Sequence, residues 1–191
     1  MTALTRALPA QAGDAVIIEQ SRREPERFAA IFDRYYPEIH GYAERRLGGG
    51  LADDVAAETF LIAFDKRTGY DVSRADARPW LYGIASNLIA RHRRAEVRLY
   101  RALARTGPDK PVEDHADQVA GEVDEGARRP RLAQALAEIA DGDRDVLLLV
   151  AWAELTSEEV GTALGIPAGT ARSRLHRARK RIQAALREDG S

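Results

Sequence analysis

Residues 155–181 constrain this chain more tightly than any other stretch. Thr156, followed three residues later by Glu159, is a capping-box pattern that fixes where a helix begins. Gly165 supplies a residue that tolerates left-handed backbone where that helix must stop, and Pro167 helps to restart the chain. Beyond it, Ala171, Leu175, Ala178 and Ile182 make one apolar stripe. Thr170, Arg174, Arg177 and Arg181 lie about a quarter to a third of a turn away. The spacing predicts a helix, a tight turn and a cationic second helix that packs on one side and offers guanidinium groups on the other. Entry of a helix into the major groove of DNA requires this arrangement.

Charge along the chain is segregated, so the net value of -1 misleads. Residues 168–187 carry six arginines and Lys180 with no acid, and residues 78–105 carry seven arginines against the single acid Glu96. Between them, residues 108–125 hold seven acids against Lys110 alone. Two positive modules and a negative connector follow. There is no cysteine, which excludes disulfides, thiolate metal sites and thiol redox switches, and points to an intracellular setting. No apolar run reaches the roughly 20 residues that span a bilayer, and the first residues lack a secretion signal, so a soluble, cytoplasmic protein without membrane insertion is expected.

Strand signals are nearly absent and helical spacing recurs, so the expected fold is all-α: two small helical domains joined by a flexible acidic linker. An irregular head covers residues 1–23. The first domain, 24–105, opens with a helix over about 24–47 carrying Phe28, Ile31, Phe32, Tyr35, Tyr36 and Ile39, ended by Gly48, Gly49 and Gly50. A helix over about 52–66 follows, then a loop to Arg78 and one long third helix. In that helix Leu81, Ile84, Ala85, Leu88 and Ile89 share one face, and Asn87, Arg91, Arg94 and Arg98 another. The linker covers 106–129. The second domain, 130–188, places Leu132, Leu136 and Ile139 on one helix and 146–152 on the next, which Asp141 or Asp143 can cap.

Each motif has a plainer reading. The terminal arginines could form a solvated or membrane-surface face, but such faces usually mix charge signs. The arginines of 78–105 could simply balance acidic neighbours. Asn87 can pair with a base edge, and Trp80 and Tyr82 could stack on an unpaired base, although such rings more often pack in a core. Asp53, Asp54 and Glu58 could be partners of a helix dipole. They have no histidine or further carboxylate at ligand spacing, and His40, His92, His115 and His176 stand isolated. No catalytic residue, metal or cofactor is expected, and an enzyme is disfavoured.

With these modules placed, the chain resembles the bacterial RNA polymerase sigma factors of the extracytoplasmic-function (ECF) group. The match runs from about residue 26 to 187, linker excepted. Residues 53–61 look like the family's polymerase-binding helix, 78–88 like its promoter-melting and minus-ten-reading segment, and 165–179 like its minus-thirty-five helix. The resemblance implies that Asp53, Asp54, Glu58 and Phe60 bind core RNA polymerase. It implies that Arg78, Trp80, Asn87, Arg91 and Arg94 contact minus-ten DNA. Thr170, Arg172, Ser173, Arg174, Arg177 and Arg181 would contact minus-thirty-five promoter DNA. An anti-sigma factor is the further partner that the resemblance implies. Gly161 and Ala171 depart from the family pattern and are expected to thin the packing, glycine costing about 1 kcal/mol relative to alanine in a helix. A repressor or activator with the same terminal motif, and a protein that merely sequesters partners, are the other classes the residues leave open.

Overall fold

The computed structural model describes residues 12–105 and 119–187, with the side chains of 119–127 excepted. Among the described residues there are nine α-helices and no strand. The head is not irregular throughout: α1 (Asp14–Ser21) is a helix that buries Ile17 and Ile18 completely. Asp14 anchors it, because its carboxylate accepts from the Tyr35 hydroxyl at 2.6 Å and from the Ala77 backbone N–H at 2.9 Å, and pairs with Arg34. A polar residue thus ties α1 to two later parts of the first module, a link that no apolar periodicity announces.

A 3-10 turn over Pro25–Phe28 leads into α2 (Ala29–Leu47), which buries Ile31, Tyr35, Ile39, Tyr42 and Ala43. Of the three consecutive glycines only Gly48 is a break, with φ +81°. Gly49 and Gly50 already belong to α3 (Gly49–Lys66). Val55, Ala56, Phe60 and Ala63 of α3 pack inward. The expected long third helix is two: α4 (Arg78–Arg91) and α5 (Arg93–Arg105). At His92 the backbone N–H bonds to the Ile89 carbonyl at 2.8 Å, three residues back, and this tighter closure ends α4 without a glycine or proline. Asn87 and Arg91 therefore sit on a different helix from Arg94 and Arg98. Leu81, Ala85, Leu88 and Ile89 form the buried stripe of α4 as their spacing requires.

The expected linker falls partly outside the described residues, at 106–118. From Val119 the backbone is already helical, as α6 (Val119–Glu138). Then come α7 (Asp141–Trp152), α8 (Ser157–Leu164) and α9 (Ala168–Arg187). Neither Asp141 nor Asp143 caps α7. Ala140 holds the N-cap, the Asp141 carboxylate is drawn to Arg144 at 2.5 Å, and that of Asp143 to Arg177 at 2.8 Å. The capping box of α8 is complete: the Thr156 hydroxyl accepts from the Glu159 N–H, and the Glu159 carboxylate accepts from the Thr156 N–H at 2.7 Å. Gly165 ends α8 in the left-handed region at φ 65°, ψ 35°.

Gly161 does not merely thin the packing. A Cβ there would lie 2.8 Å from the Ile166 carbonyl oxygen, because the turn folds back onto α8. The two modules also touch. Gly83 of α4 meets the backbone of Ala163 in α8 so closely that any Cβ would overlap the carbonyl. The Tyr42 and Trp152 rings stand edge to face at 6.5 Å.

Candidate nucleic-acid interface

The terminal helix α9 buries Ala171, Leu175 and Ala178 against α7 and α8, and Ile182 packs against the same core. Its cationic side stays outside, with Arg172, Ser173, Arg177 and Arg181 exposed. Carboxylates of the same module already hold several of these guanidiniums. Arg177 donates from Nε at 3.0 Å and Nη2 at 2.8 Å to Asp143, Arg181 pairs with Glu138 at 3.2 Å, and Arg172 pairs with Glu158. These pairs face solvent and are weak, so a phosphate can displace them. The Asp143 carboxylate holds the Arg177 guanidinium above its ordinary pKa. Arg174 is half-buried, its guanidinium lying over Gly142, where any Cβ would collide with it. The Ser173 hydroxyl donates to the Thr170 carbonyl at 3.0 Å.

In the first module the expected minus-ten residues scatter. Asn87, Arg91 and Arg94 are exposed. Arg78 is half-buried, pairs with Glu38 at 3.3 Å, and donates from Nη2 to the Ala153 carbonyl of the second module at 2.7 Å. Burial disfavours the Arg78 charge, but Glu38 and its other neighbours more than offset this and hold its pKa above the ordinary value. Trp80 packs on Tyr70 with ring centroids 4.9 Å apart, and Tyr82 is buried against Tyr42 at 5.2 Å, so neither ring is a free stacking platform here. The loop between α3 and α4 is pinned: the Tyr70 hydroxyl donates to the carbonyls of Arg74 at 2.8 Å and Asp76 at 3.1 Å.

On α3, Asp53, Asp54 and Glu58 are exposed, whereas Phe60 is 4% exposed and lies edge-on to Phe32 at 5.0 Å. Leu61, three residues beyond Glu58 and 62% exposed, extends the stripe of Asp54 and Glu58 in its place. Its position was readable from the helical period. Glu58 pairs with Arg91 at 3.1 Å, which joins an expected polymerase contact to an expected DNA contact. His40 is not isolated, since its Nε2 lies 2.9 Å from Asp53. His115 lies outside the described residues. Among the described residues no group of three or more His, Cys, Asp or Glu gathers as a metal site would need, and no helix is long and apolar enough to cross a membrane.

Sequence reasoning passed over a buried charge cluster. Arg46 of α2 donates from Nε to Glu96 of α5 and from Nη2 to Asp145 of α7, each at 2.6 Å. Arg144 sets its Nε 3.5 Å from Glu96 and its Nη1 2.8 Å from the Leu136 carbonyl, satisfying an open end of α6. Burial works against the Arg46 charge, yet Tyr42, Glu96 and Asp145 hold its pKa well above the ordinary value. The one available signal was Glu96 itself, the only acid in a stretch of seven arginines.

The Sigma-70 region 2 family model matches residues 31–99, and the Sigma-70 region 4 model matches residues 129–182. The ECF RNA polymerase sigma factor SigW of Bacillus subtilis is 30% identical over 179 residues, spanning 90% of this chain and 95% of SigW. SigL of Mycobacterium tuberculosis, also an ECF RNA polymerase sigma factor, is 30% identical over 163 residues, 84% of this chain and 89% of SigL. Among solved structures, CnrH in complex with the cytosolic domain of CnrY shares the fold at TM-score 0.62 and 22% identity, covering 93% of this chain and 99% of CnrH. The sigma factor RpoE in complex with the anti-sigma factor NepR from Bartonella quintana does so at TM-score 0.58 and 21% identity, covering 85% and 98%. Region 2 takes in α2 to α4 and most of α5, and region 4 ends one residue past Arg181, so every expected DNA contact lies inside a matched region. The chain belongs to the ECF group of RNA polymerase sigma factors, which direct promoter-specific transcription initiation.

Proposed function

We propose that this sigma factor divides its work between two surfaces: Asp53, Asp54, Glu58 and Leu61 on α3 dock on core RNA polymerase, and two sets of arginines read the promoter. Phe60 supports the docking stripe from below rather than touching the polymerase. Asn87, Arg91 and Arg94 contact the minus-ten element; Arg78 joins once it leaves the Ala153 carbonyl, and Trp80 once its ring turns out from Tyr70. Thr170, Arg172, Ser173, Arg177 and Arg181 contact the minus-thirty-five element, and Arg174 sets the angle of α9 by packing across Gly142. The observation that carries this reading is the exposed, acid-free cationic side of α9 behind a complete capping box and a left-handed glycine. The protein works in the cytoplasm, where polymerase and DNA are, carries no catalytic site, and answers to an anti-sigma factor. Co-purification with core polymerase tests the docking surface: Asp54→Arg with Glu58→Arg should abolish it and leave duplex binding by α9 intact. Retention of polymerase by that double variant would remove α3 from the interface.

A further inference from the structure

We propose, resting on the minus-ten assignment above, that α1 is a brace for promoter opening: Asp14 and Arg22, at its two ends, are positioning residues that fix both ends of the loop between α3 and α4. A helix as short as α1 does not hold itself together in water, and burial of Ile17 and Ile18 is what seats it on the first module. Its polar contacts have a different destination, the stems of that loop.

Arg22, the residue that closes α1, donates from Nη2 to the Tyr70 carbonyl at 2.8 Å. Asp14, the residue that opens it, accepts from the Ala77 backbone N–H at 2.9 Å. A third bond runs the other way: Arg67, in the 3-10 turn where the loop begins, donates from Nε to the Ser21 carbonyl at 3.2 Å, at the open C-terminal end of α1. Tyr70 and Ala77 are buried, and residues 71–76 between them are all exposed. The tip closes on itself, because the Tyr70 hydroxyl donates to the carbonyls of Arg74 and Asp76 and the Asp71 carboxylate accepts from the Ser73 N–H at 3.1 Å. α1 thus grips the two stems and leaves the tip in solvent.

Both groups gripped on the loop are backbone groups, so α1 sets where the chain runs whatever side chains the tip carries. Ala77 is also the N-cap of α4, with Arg78 and Trp80 in the first turn and Asn87 and Arg91 further along. Its position sets where α4 starts, and the Tyr70 ring, 4.9 Å from that of Trp80, sets the place from which Trp80 turns out. Capture of an unpaired base repays the cost of unstacking it only where the contacting groups already stand in place. A loop free at both stems takes many positions, and the opening it supports falls with the fraction of molecules in which it is correctly placed.

Full-length variants, assembled with core polymerase on a promoter that carries 2-aminopurine in its minus-ten element, test the brace by the fluorescence rise on opening. Arg22 is half-exposed, so Arg22→Ala leaves the core of the module intact. Opening should fall about tenfold, the population change that losing one hydrogen bond to a charged group brings, with retention of core polymerase and minus-thirty-five duplex affinity unchanged. Arg22→Lys, which can still donate to the Tyr70 carbonyl, should restore most of the opening. Arg22 also pairs with Glu19 at 2.7 Å, and Glu19→Ala should open the promoter as the wild type does, because that pair faces solvent. Asp14→Ala should lower opening at least as far, and if loss of this buried carboxylate unfolds the chain the Arg22 series decides. Wild-type opening by Arg22→Ala, or a defect that Glu19→Ala shares and Arg22→Lys does not relieve, would overturn the brace. Failure of the underlying assignment has a different signature: if Asn87→Ala opens the promoter as the wild type does, the minus-ten reading falls and the brace falls with it.

Discussion

Opposing demands meet at Gly161. Helix propensity alone says that Gly161→Ala should stabilise α8 by about 1 kcal/mol. The Ile166 carbonyl, 2.8 Å from where the Cβ would sit, says that the turn must open to admit it. Overpacking of this kind costs about 1–3 kcal/mol, so thermal unfolding of Gly161→Ala should begin lower than in the wild type. A higher melting temperature would show that the turn yields easily. Glu96 makes the opposite case, a charge whose removal strands its partners. Glu96→Ala leaves Arg46 and Arg144 buried with fewer counter-charges, and breaking such a cluster costs about 3–5 kcal/mol by chemical denaturation. Neither effect could be read from sequence: the close approach at Gly161 depends on how the turn folds back, and Glu96 looked like one acid among seven arginines until α2 and α7 closed over it.

Among the elements, the helix-turn-helix was the most legible part because its signals are local. Thr156, Glu159, Gly165 and the stripe of Ala171, Leu175 and Ala178 each act within a turn or two of their own position, and each sits as its chemistry requires. Thr156→Ala removes the cap and should cost about 1 kcal/mol, weakening minus-thirty-five duplex binding along with stability. Arg177, paired with Asp143 on the solvent side, distinguishes phosphate contact from base reading. If it binds a phosphate, Arg177→Ala should reduce the slope of log affinity against log salt by about 0.9 on any sequence. If it reads a base, the loss should be about 1–3 kcal/mol and confined to the cognate site. The boundaries that sequence missed turn on distant partners in one case and on an unmarked local backbone closure in another. α1 is a helix because Asp14 is held by Tyr35 and Ala77 far along the chain, and α4 ends at His92 through a backbone closure that no side chain marks.

For the whole molecule, two modules were legible in the charge pattern, but the helical second half of the expected connector and the packing of the modules on each other were not. That contact is made by residues whose local surroundings are unremarkable: Gly83, Tyr42, Arg46, Asp145 and Trp152. Burial within the first module also gives the protein an alkaline limit. Burial pushes the Tyr82 phenol up to about 12, and burial pushes Tyr70 likewise to about 12. The unfolded chain loses these protons near about pH 10. Below that both states are protonated and the contribution to stability is complete; as pH rises from about 10 towards about 12 only the unfolded state ionises, and stability falls. Denaturation midpoints followed across that range, with tyrosinate absorbance as the second readout, should decline together. A midpoint that stays flat would mean the phenols are not held protonated by the fold.

Promoter-directed RNA synthesis is the activity that these surfaces must serve together. Purified chain added to core RNA polymerase should start transcripts at defined promoters, and Arg177→Ala or the paired Asp54→Arg and Glu58→Arg variant should each depress that signal, the second by losing the polymerase itself. If core polymerase with the wild-type chain yields no more promoter-specific RNA than core polymerase alone, the assignment of these surfaces to polymerase and promoter is contradicted.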